Sequence, residues 1–230
     1  MTASSQHSRR PTEQEDRKLA VFDMDGVLTR HPSSWEFVHE YAGVSNEDAR
    51  LLYDRSEISY IDFLRSDVRL WISSGKVRTR GDLRKILSLI PVTVGLSETV
   101  LKLREMGFVT AIISGGLYDL AEIIDPGHIL FDYVYANRII TDSDGNLIPE
   151  GDVMVEPNRK GEVLEKLQRE LIISPDRTMS VGDSIQDLPL FLRSKVSVAV
   201  IHGDSEMRKI ARHYITGDRF KDLIGIAQQV

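Results

Sequence analysis

Short apolar runs, each ending in a cluster of polar and small residues, alternate with stretches of helical periodicity through most of this 230-residue chain. The first run is Leu19-Ala20-Val21-Phe22, ending in Asp23-Met24-Asp25-Gly26. An uninterrupted apolar run of this length suits a strand buried on both faces, and strands that alternate with helices build a parallel sheet covered on both sides. Further strands are expected at 108–113, 133–140, 178–181 and 197–201, with a hairpin turning at Asp144-Gly145 into 146–149. Helices are expected at 97–106, where Ser97 can cap, and at 117–124, 161–171, 187–192 and 219–228.

Between Ser34 and Pro91 the pattern changes. Ile61, Leu64, Val68 and Trp71 recur at three and four residues, the spacing of one helical face, and no strand pattern is visible. Ser45 with Asp48 resembles a helix start, and Gly75 and Gly81 punctuate later pieces. The expected organisation is a flexible tail at 1–16, an α/β core at 17–33 and 92–230, and a helical insertion at 34–91.

Composition narrows the chemistry. The chain has no cysteine, which removes disulfides, thiolate metal sites and cysteine nucleophiles. A net charge of −6 without a long basic stripe argues against nucleic acid as a partner. No apolar run reaches the ~18 residues a membrane span needs; the richest, Ile86 to Leu96, is broken by Pro91. Arg9-Arg10 matches a twin-arginine pair, but no apolar segment follows it, so export is not expected and the cytoplasm is. The reaction must rest on carboxylate, hydroxyl, amine or imidazole.

Four polar clusters stand at the ends of the apolar runs, where open α/β sheets bind ligands. Asp23 and Asp25 form an x, x+2 pair that projects to one side of an extended backbone. Their composition is also that of a plain turn, although a carboxylate ending a buried strand needs a partner or a ligand. Ser114-Gly115-Gly116 offers a hydroxyl and unobstructed N–H groups suited to phosphate, or an ordinary helix cap. Lys160 at a helix start sits against the helix dipole, which suggests an anionic partner, or it is a solvated lysine. Asp183 and Asp187, four apart after the run 178–181, can face one site, and hard oxygen ligands of this kind favour Mg²⁺, or the cluster is a capping box with spare acids.

The ordered set Asp-x-Asp-Gly, Ser-Gly-Gly, Lys and Gly-Asp-Ser-x-x-Asp resembles the haloacid dehalogenase superfamily, in its phosphoserine phosphatase-like branch. Phe131-Asp132-Tyr133, Ala136-Asn137-Arg138 and Lys160-Gly161-Glu162 are similar to that branch as well. The resemblance implies a Rossmann-like core with an inserted helical (C1-type) cap and a Mg²⁺-dependent phosphomonoesterase acting on a small phosphorylated metabolite, O-phosphoserine among them. It implies Asp23 as the nucleophile that forms an aspartyl-phosphate and Asp25 as general acid and base. Ser114, Gly115 and Lys160 would hold phosphoryl oxygens. Mg²⁺ would be held by Asp23, the Asp25 carbonyl and Asp183, with Asp187 orienting them. A phosphotransferase or mutase, or a phospho-accepting regulatory domain, uses a similar residue set and stays open as an alternative.

The cap departs from the branch's pattern. Arg30-His31-Pro32-Ser33-Ser34 stands where the branch carries a glutamate for the substrate amine, and Asp67 where it carries an arginine for the substrate carboxylate. Arg65 and Arg69 flank Asp67 and are candidate substitutes, and Gln186 stands where an asparagine contacts substrate. Trp35, Phe37, Tyr60, Phe63 and Trp71 are expected in the core of the insertion, with a pocket wall as the alternative. The sequence leaves the oligomeric state open.

Overall fold

The computed structural model describes residues 17–202 and 206–230; the expected tail at 1–16 lies outside the described residues. Seven strands form one sheet: β1 (Lys18–Phe22), β2 (Phe108–Leu117), β3 (Tyr133–Thr141), β4 (Leu147–Asp152), β5 (Thr178–Gly182), β6 (Val196–Ile201) and β7 (His213–Thr216). Their order is β4-β3-β2-β1-β5-β6-β7. Every neighbouring pair is parallel except β3 with β4, the hairpin expected around Asp144-Gly145.

The central strand β1 is buried on both faces, as its unbroken apolar run requires. Ala20 and Phe22 enter one core and Leu19 and Val21 the other. The helices α1 (Ser34–Ala42), α2 (Glu47–Asp54), α3 (Tyr60–Ser73) and α4 (Arg80–Leu87) follow β1. Leu64, Val68 and Trp71, three of the four periodic positions read from α3, are buried, and their core is continuous with that of Phe22. The remaining helices are α5 (Leu96–Glu105), α6 (Tyr118–Ile124), α7 (Lys160–Leu171), α8 (Leu188–Phe191), α9 (Met207–Ile210) and α10 (Leu223–Ile226). No helix among the described residues is long and apolar enough to cross a membrane.

Several local expectations are corrected. Strand β2 runs through Ser114-Gly115-Gly116 to Leu117, with a register shift between Ile113 and Leu117, so this segment is an irregular strand end and not a helix cap. Helix α5 starts after Gly95, whose φ of 80° serves the turn, and not after Ser97. Helix α2 starts after Asn46 and not at Ser45. Gly81 lies inside the first turn of α4, which Thr79 and Asp82 close with a capping box. Strand β7 escapes periodicity because Ile215 is its one buried position. The helix expected at 219–228 is α10 flanked by 3-10 turns at Gly217–Asp222 and Ala227–Gln229.

Candidate active site

Strand register assembles the site. Phe22 at the end of β1 lies beside Ile112 of β2 and Val181 of β5. The residues that follow all three therefore emerge at one edge of the sheet, and the Asp23 N–H continues the ladder to the Val181 carbonyl at 2.9 Å. Asp23, Asp25, Ser114, Lys160 and Asp183, with Gly115 and Gln186, line one cavity of about 710 Å³, and Asp187 is buried beneath it. Gly26 has φ 71°, and a Cβ there would collide with the Asp183 carboxylate. Gly182 leaves room in the same way for Asp187.

Lys160, first residue of α7, is 2% exposed. Its Nζ lies 2.7 Å from Asp23 Oδ2 and 2.7 Å from Asp187 Oδ1. Burial alone would lower the lysine pKa, but Asp187 and Asp23 outweigh it and raise the pKa, so the ammonium stays charged. A surface lysine is thereby excluded; this cation is desolvated and held by two carboxylates. The other Asp187 oxygen accepts the N–H groups of Asp183 (2.9 Å) and Ser184 (3.1 Å), fixing the loop that carries Asp183.

Asp25 accepts a 2.8 Å hydrogen bond from Ser34 Oγ on Oδ2, while its buried Oδ1 has no partner among the described residues. Burial, reinforced by the charge of Asp23, pushes its pKa up to about 6. Asp183 is pushed up to about 8 by burial and by the charges of Asp23 and Asp187. Carboxylate oxygens of Asp23, Asp183 and Asp187 all lie within 4.8 Å of one another. This surplus of oxygen donors and negative charge fits a hard divalent cation.

Ser114 is buried and accepts the Gly116 N–H at 3.1 Å. Three donors converge on the Gly115 carbonyl: Trp35 Nε1 at 3.0 Å, Asn137 Nδ2 at 2.9 Å and Tyr60 Oη at 3.4 Å. Asn137 also donates to the Val155 carbonyl and accepts the N–H groups of Met154 and Val155, so a fully buried amide clamps the Ser-Gly-Gly segment to the strap after β4. An amide inside an expected strand, in the Ala136-Asn137-Arg138 string, was the available signal.

Arg65 and Arg69 are not brought to the cavity, which corrects their selection as substrate contacts. Tyr60, Phe63, Leu64 and Asp67 form the cavity-facing side of α3. A shift of two residues turns a side chain ~200° around a helix, to the opposite side. Arg65 instead holds Glu150 on β4 at 3.0 Å and Asp62 at 3.1 Å, and Arg69 is exposed. The aromatic residues divide: Trp71 is core, while Trp35, Tyr60 and Phe63 line the cavity. His39 and Asn46 also line it, joined to Asp67 Oδ1 at 3.0 and 2.6 Å, and periodicity offered no sign of them. Burial opposes a charge on His39, but Asp67 and the Trp35 carbonyl raise its pKa overall.

The profile of the haloacid dehalogenase-like hydrolases matches residues 17–194. The chain is 32% identical over 188 residues to the phosphoserine phosphatase of Methanocaldococcus jannaschii, covering 81% of this chain and 86% of that one. It is 31% identical over 188 residues to a probable phosphoserine phosphatase of Schizosaccharomyces pombe, of whose length it spans 61%. Among solved structures, a substrate-bound phosphoserine phosphatase complex superposes with a TM-score of 0.70 at 26% identity, covering 93% of this chain and 98% of that one. The chain belongs to the haloacid dehalogenase-like hydrolase family, as a phosphoric monoester hydrolase of phosphoserine phosphatase-like type.

Proposed function

We propose that this enzyme is a Mg²⁺-dependent phosphatase that cleaves small phosphomonoesters through an aspartyl-phosphate on Asp23. In this reading residues 34–91 form a cap over a core of 17–33 and 92–230. The observation that carries it is the division of labour between two neighbouring acids. Asp23 is paired with a charged lysine, and Asp25, two residues on, is buried with one free oxygen and a raised pKa. A buried acid whose pKa is raised suits a proton donor, and its lysine-paired neighbour suits a nucleophile.

In the first half-reaction an oxygen of Asp23 attacks phosphorus, the bond to the leaving alcohol breaks, and the Asp25 carboxyl gives its proton to the departing oxygen. In the second, water attacks phosphorus, Asp25 takes its proton, and inorganic phosphate leaves with the Asp23 carboxylate restored. Lys160, Ser114 and the backbone at Gly115 hold phosphoryl oxygens, and Asp187 keeps Lys160 in place. Asp23 and Asp183 would hold Mg²⁺ together with the Asp25 carbonyl, and the metal supplies the charge that lets a dianionic phosphate approach a carboxylate. The substrate is a small phosphorylated metabolite; relatives in archaea and yeast carry the name phosphoserine phosphatase.

The test is release of phosphate from an aryl phosphate with Mg²⁺, together with mass spectrometry of acid-quenched enzyme. Asp23→Asn abolishes both turnover and the phosphorylated species. Unchanged turnover in that variant rejects the mechanism. Partition of the phosphoryl group to an added alcohol separates hydrolase from transferase.

A further inference from the structure

The phosphoryl centre occupies the sheet end of the cavity, so the leaving alcohol must reach toward the wall built by α1, α2 and α3. That wall combines aromatic faces (Trp35, Tyr60, Phe63) with carboxylates (Asp67, Glu36, Glu40). Two further basic side chains line it, and each faces carboxylates of the same wall. His39 Nε2 lies 3.0 Å from Asp67 Oδ1. Arg50 is largely exposed and spans Glu36 at 3.9 Å and Asp54 at 4.0 Å.

Asp67 is the decisive group. Its side chain is 5% exposed. Both of its partners, His39 and Asn46, end on Oδ1; among the described residues no hydrogen bond ends on Oδ2. A carboxylate on the substrate would enter a wall where Glu36, Glu40, Glu47, Asp54 and Asp67 outnumber His39 and Arg50, and would lie beside a buried like charge. An ammonium group would give Oδ2 its missing donor and would lie among aromatic rings, whose faces attract cations.

We propose that the substrate's leaving group is an amino alcohol without a carboxylate, its ammonium directed to Asp67, so that the substrate is the phosphomonoester of an alkylammonium alcohol. This rests on the phosphatase reading above and adds to it the residue that selects the substrate. Asp67, His39 and Asn46 are then specificity determinants, with His39 and Asn46 positioning the carboxylate.

The experiment compares kcat/KM of the full chain with Mg²⁺ on 2-aminoethyl phosphate, its trimethylammonium analogue, O-phosphoserine, glycerol phosphate and an aryl phosphate. We expect one of the two ammonium substrates to exceed both O-phosphoserine and glycerol phosphate by about tenfold or more, the scale of one charge-assisted contact. In Asp67→Asn the ratio of that substrate to glycerol phosphate falls toward one. A ratio taken on one preparation does not depend on how much of it is folded. O-phosphoserine or glycerol phosphate matching the ammonium substrates while the aryl phosphate turns over overturns this proposal and leaves the phosphatase reading intact. An unchanged ratio in Asp67→Asn overturns the role of Asp67. No turnover of any phosphate overturns the phosphatase reading and this proposal with it.

Discussion

Ser34, the first residue of α1, donates a 2.8 Å hydrogen bond to Asp25 and accepts one from the Leu117 N–H at 3.1 Å. One buried hydroxyl thus ties the start of the helical insertion both to the proposed acid and to the end of β2, beside Ser114-Gly115-Gly116. Removing it should be felt at the acid first. The hydroxyl stabilises ionised Asp25, so Ser34→Ala raises the Asp25 pKa above about 6. The pH profile of kcat/KM should shift upward in Ser34→Ala, and the fold should lose about 1–3 kcal/mol for the unpaired buried groups. A profile that does not move would separate Asp25 from the proton transfer.

Stability without metal should fall with rising pH. Asp25 and Asp183 both have folded-state pKa values above the ordinary 3.8, reaching about 6 and about 8. The folded state therefore binds their protons more tightly than the unfolded chain does. The associated stability is complete below pH ~4 and is lost as pH rises through 6 and 8. Thermal melts of metal-free protein across this range should show the decline, and Asp183→Asn should flatten its upper half.

Mg²⁺ should reverse that trend. A cation that binds ionised carboxylates competes with protons and stabilises the folded state by mass action. The rise in Tm on adding Mg²⁺ should therefore be larger at pH 8 than at pH 5, and a chelator should remove it. An equal rise at both pH values would place the bound ion away from Asp183.

Lys160→Met leaves Asp23 and Asp187 buried without their cation. Breaking a buried ion pair costs about 3–5 kcal/mol, so the variant should melt well below the parent. Turnover of an aryl phosphate should fall by about two to three orders of magnitude, the effect of losing one preorganised charge at a transition state. Mg²⁺ binding measured by calorimetry on the folded fraction gives a readout separate from activity.

Asn137→Leu removes the clamp on Gly115 and Val155. Because the amide joins four backbone groups in the interior, the loss should be about 2–4 kcal/mol in urea unfolding. Trp35→Phe removes a second donor to the same Gly115 carbonyl. The two changes share one acceptor, so their effects on kcat should be non-additive in a double-mutant cycle.

Much of the sheet and of the cavity at its edge was legible residue by residue. The apolar run of β1 fixes a strand buried on both faces, and Asp23 follows because a carboxylate at such a strand end needs a partner. Helix α3 was equally visible, since Leu64, Val68 and Trp71 mark a face by spacing alone. The Ser-Gly-Gly segment was harder, because glycines allow a cap and an irregular strand end alike, and only pairing with β3 distinguishes them. Strand β7 was hidden by its single buried side chain.

The sequence by itself determined which groups can do chemistry here: carboxylates, one hydroxyl and one lysine at strand and helix ends, without any thiol. These are local properties, carried by a residue and its near neighbours. The tertiary structure decided which of them meet. Lys160 is a surface lysine in composition and a buried bridge between Asp23 and Asp187 in space, because β1 and β5 pair in one register. It also decided the wall opposite. Arg65, Asp67 and Arg69 are close in sequence, but a helix turns about 100° per residue, and only packing against α1 selects Asp67 for the cavity.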